Sequence, residues 1–235
     1  MNIFEGHLLP LRHSLPVAAP QDEPAWVALY LFLCLLLLVL VRSAAYPRLV
    51  RIVQSTFSNQ VMQQLELEEV NLFRSYALAL NLLFVLNVAF LFYKYNESRV
   101  HLLENSPSLH QYVLVLTAVL TIALYRLAAN QVIAFVTGAR KTVSEYLVSS
   151  SLINQTTGLV LFPLLALGEF SSVLPGLFFW LGVTVLGLSL ILRWYRGLMM
   201  AGGAGRLGFI EIFSYFCALE ILPVLVLVKY VVENY

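Results

Sequence analysis

Charged residues are scarce in this chain. Asp, Glu, Lys and Arg together make up 11% of its 235 residues, while 60% are hydrophobic and the mean hydropathy is +0.83. A soluble domain usually carries about 25% charged residues. The composition therefore excludes an ordinary soluble domain and predicts a polytopic membrane protein. The net charge of +1 comes without a basic patch interleaved with aromatic residues, so no nucleic-acid partner is predicted.

Cysteine and histidine are rare, and their spacing matches no metal or redox motif. The two cysteines, Cys34 and Cys217, lie within apolar runs, where we interpret them as packing residues rather than a disulfide. The histidines are His7, His13, His101 and His110. All four fall on the predicted outer side, with His110 at the very start of an apolar run, which favours solvated interfacial side chains over a metal site. We therefore expect no cofactor, no metal and no catalytic constellation, and a protein that is not an enzyme.

Long apolar runs divide the chain into six candidate membrane spans. A spanning helix needs about 20 mostly apolar residues. The runs that qualify are residues 25–42, 74–94, 110–129, 147–168, 175–194 and 208–230. We predict an all-α fold, with one transmembrane helical domain over residues 25–232 and a tail at residues 1–24. The tail lacks the basic start of a signal peptide, so the first run is interpreted as a retained helix.

The distribution of Lys and Arg predicts the orientation. Cytoplasmic segments carry an excess of these residues in membrane proteins. Ten of the 14 fall on one side of the predicted spans if the N-terminus is outside. We therefore expect both termini, including the tail at residues 1–24, to be extracytoplasmic.

The longest predicted cytoplasmic segment, residues 43–73, has an amphipathic pattern. Apolar residues recur every four positions at Leu49, Val53, Phe57, Val61 and Leu65. This spacing predicts an amphipathic helix or helix pair. It would pack under the bundle as a structural elbow, or it would lie along the inner leaflet and bind lipid or a partner.

The glycine-rich stretch "GAGRLG" over residues 203–208 matches a nucleotide-binding pattern by letters alone. That motif requires a preceding strand and a βαβ unit. Here the stretch joins two predicted spans, so it is interpreted as a tight reversal between helices.

Polar residues from five predicted spans fall near the middle of the membrane. Counting from the helix ends at about 1.5 Å per residue gives their depth. The residues at this depth are Asn87, Thr121, Thr157, Thr184 and Glu220. Polar groups in lipid need partners, so these side chains are expected to point into the bundle and to form an intramembrane polar site.

Glu220 is the most informative member of this set. An ionised carboxylate at mid-membrane is costly, so the side chain is either protonated or paired. Prolines lie near the site, and Pro163 and Pro223 each leave a helical carbonyl without its donor, which predicts two kinks. Two interpretations stay open: Glu220 takes part in proton transfer, or it holds the helices together by hydrogen bonds to Asn87 or a threonine.

The sixth run resembles a known family. Cys217, Glu220, Ile221, Pro223 and Lys229 occupy the Cys-x-x-Glu-Ile-x-Pro block and the following lysine that close domain of unknown function 4271. The arginine-rich segment after the first run and the Gly158 to Pro163 spacing are similar as well. The resemblance covers residues 25–232 and implies a bacterial inner-membrane protein, with no activity attached.

Two functions follow as hypotheses. The first is a non-enzymatic subunit or assembly factor of an envelope complex, which sits in the lipid bilayer and binds a membrane-protein partner or forms a homo-oligomer. It rests on short loops and on the amphipathic segment at residues 43–73. The second is a small proton-coupled carrier that uses Glu220 at the bilayer midplane.

Overall fold

Long apolar helices make up the part of the chain that the structure describes. The structure is a computed structural model, and it describes residues 25–57, 75–97, 107–137, 140–171 and 175–203. The helices are α1 (Ala25–Phe57), α2 (Ser75–Tyr95), α3 (Ser108–Thr137), α4 (Arg140–Phe170) and α5 (Pro175–Gly203). Lipid offers no hydrogen-bond partners, so the backbone of a membrane-spanning segment must pair its own N–H and C=O groups. A helix does so within one segment.

All five helices are long and apolar enough to cross a membrane. The candidate spans are Ala25–Ser43, Tyr76–Tyr95, Ser108–Val132, Val143–Phe170 and Gly176–Gly197. They overlap the first five runs predicted from the sequence, so the predicted all-α class of membrane helix bundle is confirmed. The sixth predicted span, residues 208–230, lies outside the described residues, as do the tail at residues 1–24 and residues 58–74.

α1 is longer than the sequence pattern predicts. The predicted span ends at residue 42, whereas the helix continues to Phe57. The first part of the expected amphipathic segment is therefore an extension of α1 and not a separate helix. Ile52 on this extension is buried, and its carbonyl accepts a hydrogen bond from Thr156 Oγ1 of α4 at 3.4 Å. The extension therefore packs against α4 at Ile52.

α2 and α4 form the centre of the bundle. Within its most apolar window, 56% of α2 and 50% of α4 are buried, against 6% of α3. α4 packs mainly against α5 and α2, while α1 and α3 each contact both central helices. The core between them is aliphatic and aromatic, with Leu83, Phe90 and Leu161 among its fully buried side chains.

α2 and α4 run in the same direction, because α3 crosses back between them in the sequence. The start of α1, the end of α2, the start of α3 and the end of α4 therefore meet at one end of the bundle. We call this the aromatic end, after a ring cluster there. The opposite end carries Arg193 and Arg196 of α5, and we call it the arginine end.

Candidate functional site: a polar seam between the central helices

Asn87 of α2 is a buried polar residue with hydrogen-bond partners on two other helices. Its side chain has 0% exposure. Asn87 Oδ1 accepts a hydrogen bond from Tyr30 Oη at 2.6 Å and a weaker one from Cys34 Sγ at 3.9 Å. Asn87 Nδ2 donates to the backbone carbonyl of Gly158 at 2.9 Å. One amide thus joins α1, α2 and α4, and both of its ends are satisfied where an unpaired polar group would be costly.

Gly158 allows α4 to approach α2 at this level. A Cβ added at Gly158 would lie 2.8 Å from Phe84 Cα and 2.9 Å from Phe84 N. Real Cβ atoms do not come that close to backbone, so only glycine fits without a shift of one helix. Small residues that bring backbones together are typical of helix contacts in membranes. The contact also explains why Asn87, almost one turn after Phe84, reaches the Gly158 carbonyl.

A second polar group lies toward the arginine end between the same two helices. Asn81 Nδ2 of α2 donates to Ser151 Oγ of α4 at 2.9 Å, and Ser151 Oγ lies 3.3 Å from Asn81 Oδ1. Gln155 Nε2 donates to the same Ser151 oxygen at 3.1 Å. Together with the Asn87 group, these residues form what we call the polar seam: Asn81, Asn87, Ser151, Gln155 and Gly158.

The seam is divided rather than continuous. The backbone contact between Gly158 and Phe84 separates the Asn87 group from the Asn81 group. Gln155 Oε1 is buried and lacks a hydrogen-bond partner among the described residues. The two groups therefore act as separate contacts between helices at different depths.

Five aromatic rings pack together at the aromatic end. Tyr30 stacks on Phe90 with 4.5 Å between ring centroids, and Trp26 stacks on Tyr112 at 5.2 Å. Tyr93 completes the cluster, with its ring edge-on to Trp26 at 5.3 Å. Trp26 Nε1 also donates to Ser108 Oγ at 3.0 Å. Tryptophan and tyrosine are enriched at membrane interfaces, which matches this position at the helix ends.

A buried ion pair joins the ends of α2 and α4 beside the rings. Lys94 Nζ lies 2.7 Å from Glu169 Oε1 and 3.3 Å from Glu97 Oε2. The Glu169 side chain is only 2% exposed. The sequence alone did not predict this pair, because the pairing depends on α2 and α4 being parallel neighbours.

Two arginines are buried at the arginine end. The Arg193 guanidinium donates to Asn154 Oδ1, and Arg196 Nη1 lies 3.5 Å from Ser149 Oγ. In the sequence, both arginines counted only among the ten Lys and Arg residues that predict the orientation. One signal in the sequence could have placed the two arginines in the interior. It is the polar run Ser149 to Thr157 of α4, which contacts α5 at Ser149 and Asn154.

The residues predicted for the midplane site fall into three groups. Asn87 is in the seam, and Thr157 is buried beside it, with its hydroxyl donating to the Ile153 carbonyl at 2.7 Å. Thr121 and Thr184 are exposed, and each donates its hydroxyl to a carbonyl of its own helix. Thr121 donates to the Thr117 carbonyl at 2.8 Å, and Thr184 donates to the Trp180 carbonyl at 2.9 Å. Glu220 and Pro223 lie outside the described residues.

Among the described residues, Thr121 and Thr184 therefore lie outside the polar seam. Each threonine satisfies its hydroxyl on its own helix, so it needs no partner on another one. Pro163 lies within α4, which continues through it to Phe170.

The chemistry of the seam is that of neutral hydrogen bonds. Its amides and hydroxyls can fix helix positions. Within the described ranges, no three His, Cys, Asp or Glu side chains are grouped closely enough to hold a metal ion.

The helices and the seam define a multi-pass membrane protein built on a hydrogen-bonded helix bundle. The model of the family "Domain of unknown function (DUF4271)" matches residues 27–231, and the chain belongs to that family. The family resemblance carried by the sixth run is thereby confirmed. Neither the curated proteins nor the solved structures contain a match to the chain.

Proposed function

We propose that this protein is a non-enzymatic subunit or assembly factor of an envelope complex in the bacterial inner membrane. Its bundle supplies a fixed framework to which a second membrane protein, or another copy of the chain, attaches. Both termini face away from the cytoplasm in this proposal, as the distribution of Lys and Arg favours.

The hydrogen bonding of Asn87 carries the proposal. Both ends of its amide are bound by groups of α1 and α4, and the backbones of α2 and α4 touch at the same level. A carrier has to open and close around a site at mid-membrane. An Asn87 amide that is satisfied by groups of α1 and α4, in a core closed at Gly158, resists such motion, which supports a framework over a carrier.

Isolation of the chain from its native membrane tests the proposal. A tag is placed on the chromosomal copy, the membranes are dissolved in a mild detergent, and the complex is sized on a native gel. We expect the chain to migrate in a defined assembly above the mass of one copy. Deletion of the gene should shrink or remove that assembly, and an untagged wild-type copy on a plasmid should restore it.

The proposed function is contradicted if two results are found together. These are migration of the chain as a monomer in mild detergent, and unchanged membrane complexes on the native gel after its deletion. If the formation of a substrate gradient across the membrane also depended on the chain, the proton-coupled carrier would be favoured.

A further inference from the structure

One amide of the polar seam is satisfied at only one of its two ends. Gln155 is 1% exposed, and its Nε2 donates to Ser151 Oγ at 3.1 Å. Its Oε1 is equally buried and, among the residues that the structure describes, accepts no hydrogen bond. A buried polar atom without a partner is costly, and such atoms in proteins commonly mark a bound water or ion. The Gln155 amide therefore points to a small ligand in the seam.

We propose that an ordered water binds between Asn81, Ser151 and Gln155, and that water reaches this place from the arginine end of the bundle. The bound water donates to Gln155 Oε1, and the backbone contact at Gly158 stops water from going further. The seam thus has a hydrated half around Asn81 and a dry half around Asn87. This inference does not rest on the proposed framework role.

The need for a ligand does not depend on which way the Gln155 amide is turned. The oxygen and nitrogen of a glutamine side chain are told apart by their hydrogen bonds. If the amide is turned over, Oε1 accepts from the Ser151 hydroxyl, and Nε2 becomes the atom without a partner. Water both donates and accepts hydrogen bonds, so it satisfies either arrangement.

Water fits this group of side chains better than a cation does. Ser151 Oγ accepts from Asn81 Nδ2 at 2.9 Å and from Gln155 Nε2 at 3.1 Å. Two N–H groups therefore converge on one oxygen, and they repel a cation placed beside it. Hard cations also take about six oxygen ligands or more. A buried water needs only about two to four polar partners, which these three side chains supply.

Asn81 provides the route for water. Its side chain is only partly buried, whereas Asn87 is fully buried. Asn81 lies six residues after Ser75, so it is about 9 Å from the start of α2 at the arginine end. α4 carries three consecutive serines, residues 149–151, at this level. The hydrated half is therefore polar and close to one end of the bundle.

The reaction of single cysteines with Ag⁺ tests the hydrated half. Ag⁺ binds the thiolate, which forms only where water can take up the thiol proton. In a full-length Cys34→Ala, Cys217→Ala background, Ser151→Cys places a thiol at the proposed water. Leu152→Cys is the matched control, because Leu152 lies one residue further along α4 and is 1% exposed in the apolar core. Membranes are treated with Ag⁺ and denatured, and the thiols that remain are labelled with a maleimide.

We expect Ag⁺ to block Ser151→Cys several-fold faster than Leu152→Cys. Native Cys34, kept in a Cys217→Ala background, reports on the dry half and should react as slowly as Leu152→Cys. Equal rates for Ser151→Cys and Leu152→Cys overturn the hydrated half. A Cys34 thiol that reacts as fast as Ser151→Cys overturns the division of the seam.

A crystal structure of the unaltered chain, at a resolution that shows ordered water, is independent of these substitutions. We expect the density of one water within hydrogen-bond distance of the Gln155 amide and of Asn81 or Ser151. The proposal is overturned if that density is absent, or if protein atoms bind both ends of the Gln155 amide.

Discussion

At the scale of single residues, two positions fix the centre of the bundle. Asn87 supplies the hydrogen bonds between three helices, and Gly158 supplies the space that lets them form. Neither role depends on charge. The amide needs the glycine carbonyl, and the glycine carbonyl is within reach only because the residue has no side chain.

Gly158→Ala should destabilise the protein by about 1–3 kcal/mol, since the added methyl group meets the Phe84 backbone and forces the helices apart. Gly182→Ala is the matched control. Its methyl group would meet Leu91 Cδ1 at 3.2 Å, the far end of a flexible side chain. Thermal unfolding in detergent measures both. Equal melting temperatures for the two variants would contradict the close contact.

The sequence predicted the depth of the polar residues in the membrane better than the side of the helix on which they lie. Depth follows from counting along a helix of known rise. Direction requires a contrast between faces, and in a membrane both the lipid side and the core side are apolar. Asn87 and Thr184 therefore looked alike in the sequence, although one is buried and the other exposed.

At the scale of helices, the parallel pair α2 and α4 organises the rest. The pair is bound at three levels: by Asn81 with Ser151, by Asn87 with Gly158, and at the aromatic end by Lys94 with Glu169. The existence and approximate limits of the five helices were predictable, because apolar runs of this length have one stable form in lipid. Which helices touch was not predictable, since short loops restrict only consecutive neighbours.

Glu220 belongs to the sixth predicted span, and its role can be decided by substitution. We expect Glu220→Gln to keep wild-type abundance and growth, because the amide preserves the hydrogen bonds of a protonated carboxyl group. We expect Glu220→Leu to lower abundance, because it removes them. Membrane immunoblots and a growth assay in the deletion strain provide the readout.

The opposite pattern would change the function. A Glu220→Gln protein that is abundant but fails to support growth would indicate proton transfer at Glu220. Wild-type behaviour of both variants would show that the carboxyl group has neither role.

At the scale of the whole molecule, the two ends of the bundle differ in chemistry. The aromatic end holds stacked rings and the Lys94–Glu169 pair, and the arginine end holds Arg193 and Arg196. Arg193 and Arg196 are two of the ten Lys and Arg residues from which the orientation is predicted, and a reporter fusion tests that prediction.

A reporter enzyme that is active only outside the cytoplasm should be active when fused after Tyr235. The same reporter fused after Thr137, at the end of α3, should be inactive, because an odd number of spans precedes it. An inactive fusion after Tyr235 together with an active cytoplasmic reporter at that site would reverse the orientation.

The 71 residues that separate Asn87 from its Gly158 acceptor also set an order of events during synthesis. A ribosome adds about 5–20 residues per second, so the Asn87 amide waits about 4–14 s for its partner to be made. Among the described helices that precede α2, α1 brings Tyr30 to the amide during that time. The synthesis of α4 then adds the second partner of the amide, the Gly158 carbonyl, to helices that have already been made.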